Sequence, residues 1–306
     1  MKVKRIIQKD RSAVSTIAVI AIVLILVVAA GVAYIVLTGD SGDDDKVAEE
    51  VAPGTMLKYE VYEKAAPKGK DTLAGTWTFD YIGQSADTFF ISVSGDYHNE
   101  LFQYYKVDPK GASDDMEKIG TAEIDTMDGL RSVEIWSTDG GKTNRAYYDA
   151  ETGLGYLHET DTEDGVFTQK LVDYEFKWQK SYKESKSIGK TYKYVDKATG
   201  LSMEIRCIAD CLNGQFGIIY DFSALGWEDE YFLSDYAQGL PANATDREEP
   251  AYISTIDGKK TVQSWDWEDG IITFGYEPRS HIIYVVLIPL GEEEDDQYYF
   301  ELSKKP

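Results

Sequence analysis

Residues 13–37 (AVSTIAVIAIVLILVVAAGVAYIVL) form a run of 25 residues without a charge. As a helix, a run of this length reaches about 37 Å, against a bilayer hydrocarbon core of about 30 Å. Left in water it would expose more apolar surface than a small domain can tolerate, so it predicts a transmembrane helix. Cleavable secretory signals carry a shorter apolar stretch of about 7–15 residues followed by a small-residue cleavage site, so the spacing predicts a retained anchor.

The flanking charges orient it. Lys2, Lys4, Arg5, Lys9 and Arg11 precede the run, and Asp40, Asp43, Asp44 and Asp45 follow it. By the positive-inside rule, residues 1–12 are a cytoplasmic tail and everything after the helix lies outside the cell membrane. The formal charge of the chain is −23. The first 38 residues carry +4, which leaves −27 on the remainder. A surface of that charge repels nucleic acid and anionic headgroups, so neither is an expected partner of the exterior part. Residues 38–52 are acidic, small and without aromatics, the composition of a solvated tether.

The run from Lys9 to Ile20 (KDRSAVSTIAVI) resembles the N-terminus of archaeal type IV pilin-like proteins, in which a basic stretch and an Arg/Ala-Val-Ser motif lead into a long apolar helix. The resemblance covers roughly the first 38 residues. It implies an archaeal surface protein with a pilin-like anchor. In that family a peptidase cuts ahead of the apolar helix and the helices pack into a filament core, here corresponding to a cut at Ser12–Ala13. This chain lacks a clear Gly at that point and a Glu early in the apolar run.

Beyond the tether the chain repeats itself. Residues 123–136 (EIDTMDGLRSVEIW) align without gaps to residues 252–265 (YISTIDGKKTVQSW), with Ile124/Ile253, Thr126/Thr255, Asp128/Asp257, Gly129/Gly258, Val133/Val262 and Trp136/Trp265 identical. Tyr59 matches Tyr194, Tyr148 matches Tyr276 and Tyr156 matches Tyr284. So long a period predicts duplicated domains rather than a solenoid, whose unit is about 20–50 residues. The copies are placed at 53–180 and 186–305. Aromatic content of 13% with 22 Tyr, several Asp-Gly pairs, and alternating segments at 73–82, 88–93, 101–107 and 271–276 predict a mainly β fold. Each copy is expected to be an antiparallel meander sheet, a sandwich or a partial barrel. Residues 282–288 are continuously apolar, as in a strand covered on both faces. Short helices are expected near 113–119 and 223–237.

Candidate chemistry is sparse. Cys207 and Cys211 allow a local disulfide in an oxidising exterior, two unpaired thiols, or a metal site lacking further ligands; the disulfide requires residues 208–210 to turn. His98, His158 and His281 lie in no catalytic motif, and the chain contains no G-x-S-x-G elbow and no phosphate-binding glycine loop. No catalytic residue, cofactor site or metal ligand is assigned. Asn243-Ala244-Thr245 is an N-glycosylation sequon. Residues 292–296 (EEEDD) read as a solvated hairpin tip, with loose Ca²⁺ binding as the minor alternative. The sequence therefore points to a non-enzymatic surface module that binds a protein, a glycan or the cell envelope. A filament subunit, a carrier of an apolar ligand and a carboxylate-dependent hydrolase are the alternatives.

Overall fold

The computed structural model describes residues 50–65, 70–96, 99–105, 116–162, 165–267, 272–289 and 297–306. The expected membrane helix, the basic tail, most of the tether, His98 and residues 292–296 lie outside the described residues. Among the described residues no helix is long and apolar enough to cross a membrane. The chain divides into two compact units between Lys183 and Glu184.

The first unit contains β1 (Glu50–Val51), β2 (Met56–Ala65), β3 (Thr72–Gln84), β4 (Thr88–Gly95), β5 (Asn99–Tyr105), β6 (Glu117–Thr126), β7 (Gly129–Ser137), β8 (Asn144–Asp149), β9 (Gly155–Thr162), β10 (Gly165–Glu175) and β11 (Trp178–Gln179). Sequential strands pair antiparallel as β2–β3–β4–β5 and as β6–β7–β8–β9–β10, and β10 pairs back onto β2. The unit is thus one antiparallel sheet in the order 5-4-3-2-10-9-8-7-6. The period-2 pattern of β3 buries Trp77, Phe79 and Tyr81 on one face. They join Leu57, Tyr59, Phe89, Ile91, Val133 and Leu171 in a single core. Each such large apolar side chain removed from water contributes about 1.5–3 kcal/mol.

The folded part begins before residue 53. Strand β1 pairs with β11, Val51 is fully buried, and Ala52 donates its N–H to the Lys177 carbonyl at 2.8 Å. The acidic composition of residues 38–52 therefore does not extend the tether to its end, because Val51 and Ala52 supply apolar surface that the core takes up.

The second unit contains β12 (Thr191–Asp196), β13 (Ser202–Cys211), β14 (Phe216–Asp221), β15 (Glu230–Ser234), β16 (Thr245–Thr255), β17 (Gly258–Trp267), β18 (Ile272–Glu277), β19 (Ile282–Pro289) and β20 (Gln297–Lys304). Its pairings give the order 15-14-13-12-20-19-18-17-16. Strand for strand, this is the order of the first unit from β2 to β10. Ile283, Tyr284, Val285 and Val286 are all buried, consistent with a strand covered on both faces.

Neither expected helix forms in the described residues. Residues 117–119 start β6, and the 223–237 stretch holds only a 3-10 turn (Ser223–Leu225) before β15. Gly226 ends that turn in the left-handed region at φ 68°, and the alternation from Glu230 to Ser234 suits a strand.

Candidate functional site

The repeated motif builds a hairpin and its latch. Gly129 and Gly258 follow their turns at φ 89° and 87°, a conformation open to glycine and costly for other residues. Thr126 Oγ1 donates to the Gly129 carbonyl at 2.8 Å and accepts from the Asp128 N–H at 3.1 Å; Thr255, Gly258 and Asp257 repeat both bonds at the same distances. The carboxylate of Asp128 accepts from Tyr156 Oη at 2.5 Å and Tyr174 Oη at 3.2 Å. Asp257 accepts from Tyr284 Oη at 2.5 Å and from the Lys305 ammonium. Burial first, and then the aspartate bond, pushes the Tyr156 and Tyr284 phenols far above their ordinary range, so both remain donors.

A second repeated bond lies deeper. Tyr59 Oη donates to the Gly155 carbonyl and Tyr194 Oη to the Ile283 carbonyl, each at 3.0 Å and each buried. Residues matched by sequence offset therefore meet as matched pairs in space, and their work is to hold β6, β9 and β2, or their counterparts, in register. The shared residues are structural, so function is sought where the two units differ.

One difference is the β14–β15 connection. Eight residues, 222–229, separate these strands, whereas three separate β4 from β5. The longer loop carries Trp227, which is 40% exposed and propped edge-on by Phe222 and Tyr298 at centroid distances of 5.9 and 6.2 Å. At its ends Asp221 and Asp229 hydrogen-bond to each other. Bonds from Ser223 and the Arg206 guanidinium, which donates to Asp221 at 3.3 Å, hold the Asp221 carboxyl below its ordinary range. Desolvation, and then the Asp221 charge, raises that of Asp229. The pair thus holds two carboxyls shifted in opposite directions beside an exposed indole.

A second difference lies in the interior. His158 on β9 sits between Ala146 on β8 and Gln169 on β10. His158 and Gln169 are 2% and 1% exposed, and neither side chain has a hydrogen-bond partner among the described residues. At the equivalent places the second unit has Phe274, Val286 and Phe300, all fully buried and in the same cross-strand register. Desolvation alone pushes the His158 pKa down to about 3, which makes it a neutral core residue at ordinary pH.

The remaining sequence candidates do not converge. Strand β13 runs straight through residues 208–210 with one bulge, and Cys207 and Cys211 are both free. The expected local disulfide needs a turn there; an extended run keeps Cα atoms four apart well beyond the ~7 Å a disulfide spans. Burial pushes both thiols up to about 12, so neither is a reactive thiolate. Among the described residues no group of His, Cys, Asp and Glu could hold a metal ion. Asn243 is exposed in a turn closed by the Ala244 N–H donating to the Pro241 carbonyl at 3.0 Å, a position open to glycosylation. His281 occupies a left-handed position at φ 59°, stacks on Tyr236 with centroids 3.9 Å apart, and bonds through Nδ1 to Tyr276 Oη. Sequence reasoning missed the Asp221–Asp229–Trp227 grouping. The unequal spacing of the β14–β15 connection relative to its repeat partner was the available signal.

No protein-family model and no curated protein matches the chain. Solved structures with weak similarity include a crystal structure of MucB (12% identity, 74% of this chain and 89% of that one, TM-score 0.23). They also include MucB in complex with MucA(peri) (10% identity, 83% and 87%, TM-score 0.19) and the Pseudomonas aeruginosa MucA/MucB complex (11% identity, 83% and 88%, TM-score 0.21).

Proposed function

We propose that this chain is a membrane-anchored surface protein, held by residues 13–37 with its N-terminus in the cytoplasm, whose two duplicated β-units act outside the cell as a non-enzymatic binding module for a surface protein or glycan. The observation that carries this reading is Trp227, held exposed on a loop that the second unit has and the first lacks. Large exposed aromatics supply much of the energy of protein and sugar contacts. In a duplicated fold an insertion on one copy is where a binding face is expected. The Phe222 and Tyr298 rings limit the rotation of the indole before any partner arrives, so less ordering is needed on binding.

The split carboxyls of Asp221 and Asp229 favour one second reading, a carboxylate-dependent hydrolase. Against it, the two are hydrogen-bonded directly, whereas paired glycosidase carboxylates stand about 5 Å or more apart with the substrate between them. The test is binding of the full-length protein, displayed in proteoliposomes, to isolated envelope fragments of the native cells. Trp227→Ala is expected to weaken binding about tenfold or more, as for loss of a hot-spot aromatic. Turnover of any glycan or peptide substrate that is abolished by Asp229→Asn, with binding unchanged in Trp227→Ala, would refute the binding reading. Intact-mass analysis of protein from native membranes separates the permanent anchor from the filament subunit, since the latter loses the residues before Ala13.

A further inference from the structure

The outer face of the second unit carries an open groove of about 490 Å³ between β16, β17 and the turn joining β18 to β19. Its origin is local. Strand β16 slips register on β17 between Glu248 and Ala251, around Pro250, which has no N–H to give to the ladder. The opposite wall is the 277–281 turn, closed by the His281 N–H donating to the Glu277 carbonyl at 2.9 Å and braced by the His281–Tyr236 stack. The turn side of the groove is therefore held by a backbone bond and a ring stack.

Its charge runs against the chain. Among the described residues, Lys259, Lys260 and Arg279 line it with a single carboxylate, Glu277, in a protein of net charge −23. Lys260 is paired with Glu277 at 3.1 Å. Among the described residues Lys259 and Arg279 make no ion pair, so two positive charges remain uncompensated. The first unit supplies an internal control, because the same strand positions and the same turn are present there. They hold Leu130, Arg131, Glu134, Asp149 and Glu151, one cation against three carboxylates, on a turn closed by the matching Gly153-to-Asp149 bond at 2.8 Å. On one backbone frame the two copies have opposite charge at one place.

We propose that this groove binds a small ligand carrying two or more anionic oxygen groups, with the Arg279 guanidinium and the Lys259 ammonium each taking one and Gln263 as an additional hydrogen-bonding group in the lining. The volume is that of a small-molecule site. Extended polyanions are disfavoured by the field of the acidic remainder, whereas a compact one meets mainly the local charge. The site is separate from Trp227 and does not rest on the binding reading above.

The test is calorimetric titration of the full-length protein at low ionic strength with inorganic pyrophosphate and, separately, citrate. One site is expected, with a dissociation constant below about 1 mM for at least one probe. Response to pyrophosphate alone identifies a phosphate site, to citrate alone a carboxylate site, and to both a site for either. The double substitution Lys259→Leu/Arg279→Glu, which installs the residues of the first unit at exposed positions, should weaken binding at least about tenfold with an unchanged unfolding midpoint. If that pair lowers the midpoint, Arg279→Gln alone should still weaken binding several-fold. No binding of either probe at millimolar concentration, or binding that neither substitution weakens, overturns the proposal.

Discussion

Replacing His158 with valine, the residue type of Val286 at the same place in the second unit, removes a buried imidazole for which the described residues supply no partner. Its pKa falls from 6.5 to about 3 in the fold, with desolvation as the sole cause. Because the folded pKa is depressed, the unfolded chain binds the extra proton between these two values, and the folded chain does not. Stability is therefore independent of this group above about pH 6.5 and is lost as pH falls toward 3, at about 1.4 kcal/mol per pH unit. Relative to neutral pH, the loss is about 2 kcal/mol at pH 5 and about 4 kcal/mol at pH 3. The His158→Val protein should lack this component. At neutral pH it should already gain about 1–2 kcal/mol, because a buried polar group without a partner costs that much. The assay is native-state hydrogen exchange of the β8–β10 amides at pH 7, 6 and 5, which reads the first unit without assuming that both units unfold together. Wild-type and variant proteins that lose protection in parallel between pH 7 and 5 would refute the reasoning and place a proton acceptor beside His158.

Three further outcomes follow from the same geometry. Tyr156→Phe and Tyr284→Phe each remove a phenol–carboxylate bond and should lower stability by about 1–2 kcal/mol, read by urea unfolding; a neutral effect would mean the latch adds nothing. Gly258→Ala should cost about 1 kcal/mol through its positive φ alone, since no atom lies within 4 Å of an added Cβ, and a gain in thermal midpoint would contradict the assigned turn. Cys207 and Cys211 should both appear as free thiols by mass after alkylation in denaturant, and should label slowly in native protein at pH 8; prior oxidation or rapid labelling would contradict their placement.

Much of the frame was legible because it rests on local rules. The Thr-x-Asp-Gly turns, the alternation of β3 and the apolar run of β19 each follow from nearest-neighbour geometry, and the repeat offset marked which residues would be equivalent. Whether Cys207 and Cys211 meet was not legible, because a Cys-x-x-x-Cys spacing carries no information on whether the intervening backbone turns or extends. Residues 223–237 looked helical in composition, yet cross-strand pairing of β15 with β14 outweighed propensity. The start of the fold at β1 was hidden by the surrounding acidic residues, since its partner strand is more than a hundred residues away.

By itself the sequence determined the long uncharged run, the charge asymmetry about it, the β character and the two-fold repetition, all of which are periodicities or sums along one chain. Only the tertiary structure decided what the repetition is for and where it breaks. The latch joins Asp128 to Tyr156 and Tyr174, the interior of one unit is polar at His158 and Gln169, Asp221 shares a bond with Asp229, and Lys259 stands beside Arg279 across a groove. Each of these depends on which strands become neighbours. That choice is made by the burial of side chains far apart in the chain, and no local pattern encodes it.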